Sequence, residues 1–147
     1  MDRDKLKAML HSDEARRKFP YDDATGKTLA VGVKLRGKLT IGVGHNLTDK
    51  GLSAKAIDFL LNEDVDEVMR EIELQLPWFD ALSETRQLVV ANMVFNLGMP
   101  GFLEFKRAIA AIAGGKYALA AEHMLESKWA RQTGQRAVNL ADMMRAG

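Results

Sequence analysis

The chain is predicted to be an α+β protein in which a small antiparallel sheet precedes a larger helical part, the two joined by one long helix. Three observations lead there. Between residues 18 and 50, glycines at 26, 32, 37, 42 and 44 punctuate the apolar runs LAVGV and LTIGV, a pattern of short strands and tight turns. From Ser53 to Leu76 apolar residues recur at helical spacing until Pro77. Beyond Ser83 the same spacing returns, interrupted only by glycine and proline signals. At 147 residues the chain has the size of one domain, or of two lobes sharing a core, and is too short for a full two-domain enzyme.

In chain order, residues 3–12 place Leu6, Met9 and Leu10 on one face of a short helix that ends before a polar turn. Strands are expected near 29–34 and 38–43, and the local echo VGVKLRGKLTIGVG fits two strands of one sheet better than a duplication. Ser53 can cap a helix over 53–76 whose apolar positions include Ile57, Leu60, Leu61, Val65, Val68, Met69, Ile72 and Leu76. Pro77 ends it because it has no N–H to donate. Such a helix serves as a strut within a single domain of 1–147, between a sheet-bearing lobe (13–55) and a helical lobe (75–147 plus the N-terminal helix). LVVANMVFNLG is apolar almost all round, the mark of a buried helix, with Leu88, Val89, Ala91, Val94 and Phe95 as its core. Further helices are expected over 102–113, 117–126 and 135–145, with turns at Gly114-Gly115 and Gly134.

Composition narrows the function. Lys and Arg number 21 against 20 Asp and Glu, a formal charge of +1, without the basic excess that accompanies nucleic-acid binding. The absence of cysteine excludes disulfides, thiolate nucleophiles and cysteine-ligated metals, and leaves the chain indifferent to redox compartment. MDRDKLKAML has neither the charge pattern nor the apolar core of a signal peptide. Polar groups gather where the first helix meets the sheet: Asp13, Glu14, Asp22, Asp23, Thr25, Thr40, His45 and Asn46, interleaved with glycines. Two carboxyl groups so placed can flank a cleft, one protonating a leaving oxygen while the other orients water. The plainer reading stands beside it: Glu14 closes a helix, Asp22-Asp23 makes a turn and Thr40 is an ordinary strand residue.

SDEARRKFPYDDATG, then GKLTIGVGHNLTDKGLS, LLNEDVDEV, NMVFNLG and SKWARQTGQRA, ordered from about residue 6 to 145, resemble the phage-type lysozymes. The resemblance implies their fold, an active-site cleft between the lobes, and hydrolysis of the β-1,4 bond between N-acetylmuramic acid and N-acetylglucosamine in peptidoglycan, with inversion. It puts the general acid on Glu14, the second catalytic carboxylate on Asp23, and the threonine that helps to hold the attacking water on Thr40. Inversion implies roughly 6.5–9.5 Å between the carboxyl groups, against about 5 Å for retention. Asp22, one position early, is a turn or cleft-edge residue. Many relatives pass directly from the aspartate loop to T-I-G, whereas this chain inserts about ten residues; Thr25, Lys34 and Arg36 then belong to an exposed hairpin.

His45 alone fits a metal ligand, a proton shuttle or a packed imidazole, and without a companion ligand motif the structural role is favoured. By resemblance it pairs with Asp64, a contact that raises a histidine pKa and stabilises the fold below that raised value. His11 and His123 share no motif. The resemblance also makes Asn96 a possible substrate contact and Arg136 the partner of Glu14, while Trp129 is structural and Phe102 a candidate for the lobe interface. No metal or organic cofactor is needed. The expected partner is a peptidoglycan strand, met by a monomer made in the host cytoplasm and released to the wall through a separate holin. The rivals are a lytic transglycosylase, a catalytically silent wall-binding or phage structural protein, and, distantly, a nucleic-acid module.

Overall fold

The computed structural model describes residues 2–13 and 16–147 and divides into two compact units, Met1–Asp58 and Phe59–Gly147. The architecture is α+β, mostly helical with one three-stranded antiparallel sheet.

The first unit begins with α1 (Arg3–Asp13), on which Leu6, Met9 and Leu10 remain exposed. Its sheet has the order β1 (Arg17–Asp22), β2 (Leu39–Gly42), β3 (His45–Asn46). Tyr21 pairs with Thr40 and Asp22 with Leu39, while Thr40 also pairs with Asn46, so Thr40 lies on the central strand. The strand expected at 29–34 does not form. Its place is taken by β1, and the run LAVGV instead carries a turn in which the Val33 N–H donates to the Ala30 carbonyl at 3.1 Å. Gly32 adopts φ +84° at that turn, a conformation that ends a strand rather than extends it. Only Thr28 pairs from this side, as a single bridge to Tyr21. A short helix, α2 (Leu47–Lys50), follows β3.

The long helix is α3 (Ala54–Gln75), and the Ser53 hydroxyl accepts from the Ala56 N–H at 3.2 Å, the cap that the sequence announces. In the second unit, α4 (Glu84–Leu103) starts on Ser83 as expected, its hydroxyl accepting from Arg86 N–H, and continues past Gly98 and Pro100. Gly98, at φ 69° and ψ 158°, kinks it, and Pro100 sits in the first turn of the resumed helix, where its missing N–H costs nothing. Val89 and Val94 are buried as expected; Leu88 is 57% and Phe95 43% exposed, because only the Val89, Val90, Met93 face turns into the core. The helices α5 (Lys106–Ala113), α6 (Tyr117–Leu125), α7 (Lys128–Thr133) and α8 (Gln135–Ala146) share one apolar core with α4, which packs on α8. The small residues Ala120, Ala121, Ala137 and Ala141 let α6 and α8 approach closely. Arg86 ties α4 to the end of α8: its Nε donates to the Met144 carbonyl at 3.0 Å while its guanidinium stacks 3.7 Å over the Tyr117 ring. The sequence pattern did not announce α7, a single capped turn and a half begun by Ser127, whose hydroxyl accepts from the Ala130 N–H.

Candidate active site

The sheet unit brings Asp23 and Thr40 to a single carbonyl. Asp23 follows β1 directly, and its N–H donates to the Lys38 carbonyl at 3.1 Å. The Thr40 hydroxyl donates to the same oxygen at 3.2 Å. In return the Lys38 N–H donates to Asp23 Oδ1 at 2.6 Å. Tyr21 opposes Thr40 and Asp23 opposes Lys38, so strand alternation puts Asp23 and Thr40 on one face. Asp23 is exposed, whereas Thr40 is 4% exposed.

Asp22 points the other way and is built in. It is 2% exposed, and its carboxylate accepts from the Arg36 N–H at 2.7 Å and from the Gly37 and Ala24 N–H groups at 3.0 Å each. The Arg36 amide, above all, holds the Asp22 carboxyl below its ordinary value of 3.8, with the other amides adding to it and burial opposing. The carboxylate thus closes the root of the 24–37 segment, returning the chain to β2 in the register that sets Thr40. Gly37 is indispensable there: a Cβ would lie 2.7 Å from Ala24 Cβ, 2.8 Å from Ala24 N, and closer still to Asp23 Oδ1. Arg17 pins the other side of the turn, donating to the Gly26 carbonyl at 2.6 Å and lying 4.2 Å over the Tyr21 ring.

On the far edge of β2, the Lys38 ammonium meets Asp49 at 2.8 Å, which holds the lysine above and the aspartate below their ordinary values. Asn46 donates to the same aspartate and accepts from its N–H as the cap of α2, and the Thr48 hydroxyl accepts from the Leu39 N–H at 2.8 Å. The roles of Arg17, Lys38, Thr48 and Asp49 were missed from the sequence; the spacing Asn46-x-x-Asp49 was the available signal, a helix-start pattern. Thr25, Lys34 and Arg36 are exposed. His45 lies 2.7 Å from the Gly51 carbonyl through Nε2, which must carry the proton because the carbonyl only accepts.

In the helical unit the Asn96 amide oxygen accepts from Trp129 Nε1 at 2.7 Å, and Trp129, 5% exposed, meets Phe105 edge to face at 5.9 Å. Arg136 donates twice to the Asn92 amide oxygen, at 2.7 and 3.1 Å. Phe102 is a core residue, 1% exposed. Asp64 lines a hollow with Glu67, Glu71 and Phe95. His123 approaches Glu126 at 3.3 Å. Glu14, the expected general acid, lies outside the described residues. Among the described residues no cluster of His, Asp and Glu is arranged to hold a metal, and no single helix is long and apolar enough to cross a membrane.

The family model described as Phage lysozyme matches residues 12–145, a span that contains Glu14, Asp23 and Thr40. Two Dictyostelium discoideum proteins, probable T4-type lysozymes 1 and 2, are 25% and 26% identical, each alignment covering 97% of this chain and 94% of the relative. The pre-baseplate central spike protein Gp5 of Enterobacteria phage T4 is 24% identical over 95% of this chain, which corresponds to 27% of that protein. With a match running through both units, the chain belongs to the phage lysozyme family.

Proposed function

We propose that the protein is a muramidase that hydrolyses the β-1,4 linkage between N-acetylmuramic acid and N-acetylglucosamine of peptidoglycan, with inversion, and that it serves as an endolysin in host cell lysis. The observation that carries this reading is the shared Lys38 carbonyl, which ties Asp23 and Thr40 together inside a chain of the lysozyme family. Lys38 N–H fixes Asp23 Oδ1, leaving Oδ2 to take a proton from water. The Thr40 proton is committed to a carbonyl, so its oxygen is left as an acceptor for the same water. Glu14 protonates the departing glycosidic oxygen as positive charge develops on the sugar ring. Asp23 and Thr40 then deliver water from the opposite face.

Under this reading the protein accumulates in the host cytoplasm, reaches the wall through a lesion made by a separate holin, and acts as a monomer without a cofactor. Digestion of defined peptidoglycan fragments tests it. The expected products together weigh one water more than the strand, the new reducing end has inverted anomeric configuration, and both are lost with Glu14→Gln. An anhydro product points to a lytic transglycosylase, and undiminished cleavage by Glu14→Gln overturns the assignment. The similarity to a spike protein favours a second reading, in which the same catalytic domain serves within a virion structure; copurification of the chain with intact particles would mark it.

A further inference from the structure

Turn tips ordinarily carry Asn, Asp, Gly, Ser or Pro, since their backbone is solvated and their side chains gain nothing by being apolar. The turn at 30–33 departs from that rule. Its side chains are those of Ala30, Val31 and Val33 around Gly32. Val31 is fully exposed, Val33 49% and Leu35 38%. The flanks are cationic: residues 24–37 contain Lys27, Lys34 and Arg36 and no acidic residue, in a chain whose overall charge is only +1. Lys38, next along, is neutralised by Asp49. The segment is also presented rather than collapsed, because the Asp22 carboxylate grips its root through the Arg36 and Gly37 amides.

A soluble polyanion accounts for the cations but leaves three exposed apolar side chains unexplained. An apolar protein groove accounts for the apolar residues and leaves the cations unmatched. The interface of an anionic bilayer takes both, apolar tips entering the headgroup boundary while lysine and arginine stems reach back to the phosphates. We infer that residues 27–36 form a loop that attaches the protein peripherally to anionic phospholipid surfaces.

Cosedimentation of the full chain with vesicles tests this, comparing equal parts phosphatidylglycerol and phosphatidylcholine with phosphatidylcholine alone. Binding is expected to the anionic vesicles only, weakening with salt. Lys27→Glu with Lys34→Glu is expected to weaken it about fivefold or more for each charge. Val31→Ser with Val33→Ser is expected to weaken it about tenfold through lost apolar contact. Both variants should keep the parent's thermal midpoint and its cleavage of isolated walls. No binding to anionic vesicles, equal binding to neutral ones, or binding unchanged in either variant overturns the inference. Attachment to soluble polyphosphate that survives Val31→Ser with Val33→Ser, without preference for vesicles, overturns it in favour of a free polyanion.

Discussion

Gly37→Ala perturbs the candidate site through a residue that carries no chemistry of its own. The added Cβ would sit 2.7 Å from Ala24 Cβ and 2.8 Å from the Ala24 nitrogen, both on the opposing turn, and against Asp23 Oδ1. Ordinary contact between such atoms needs 3.4 Å or more, so the 36–38 backbone must retreat from the turn by the better part of an ångström. Overpacking of this kind costs about 1–3 kcal/mol. The retreat also pulls the Lys38 N–H away from Asp23 and shifts the carbonyl shared with Thr40. A displacement near 1 Å of groups that position a reactant can lower the rate about a hundredfold. Urea unfolding and the rate of cleavage of isolated walls, measured together, give both numbers. Gly32→Ala is the control, since its Cβ meets nothing within 4 Å while its φ of +84° is strained for alanine. It should lose stability and keep its rate. If Gly37→Ala cleaves at the parent rate, or if Gly32→Ala loses as much rate as Gly37→Ala does, the 36–38 backbone does not position Asp23.

Three further outcomes follow from the geometry. Asp22 has its folded-state pKa below 3.8, so its contribution to stability is present above that value and fades as pH falls through the lower, folded one; Asp22→Asn should unfold more easily at neutral pH and lose less on acidification, as followed by circular dichroism. Lys38 lies above its ordinary 10.5 because of Asp49, so the stability it lends is complete below 10.5 and lost as pH rises through the raised value; Asp49→Asn should flatten the alkaline limb of the unfolding profile. Trp129→Phe leaves the Asn96 oxygen without its donor and should cost about 1 kcal/mol, with a double-mutant cycle against Asn96→Ala returning a coupling of the same order; a cycle that closes at zero would make the contact incidental.

Legibility followed the range of the interaction. Ser53, Ser83 and Pro77 mark helix ends through bonds within four residues, and all three act where the sequence places them. The sheet depends on partners far apart in the chain, and there periodicity misled: LAVGV has the composition of a strand, yet a strand needs an edge to pair with, and β1 offers 28 only a single bridge. Apolar character also could not say which side of α4 faces the core, so Leu88 and Phe95 were expected inside although they share the outward stripe with Asn92. In the site, residue types that carry chemistry stood out, whereas Lys38 acts through its backbone and Gly37 through what it lacks. His45 meets the Gly51 carbonyl within the first unit, and Asp64 lines a hollow of the second.

The two adjacent aspartates show why the 24–37 segment need not disturb a neighbouring candidate site. Asp23 faces the side of the sheet on which Thr40 lies, and Asp22 faces the other, because successive residues of an extended chain alternate. One carboxylate therefore keeps an oxygen open while the other, one peptide away, is consumed by backbone amides from the root of the 24–37 segment. The root fixes the register of β2 through the Arg36, Gly37 and Lys38 amides. The turn at 30–33 can then vary in length and character without moving Thr40, which is the condition under which a loop is able to acquire a surface-binding role of its own. Shortening the tip while keeping Asp22, Arg36 and Gly37 should accordingly leave wall cleavage intact and abolish vesicle attachment; a shortened chain that loses cleavage with its fold preserved would show that tip and site are one device.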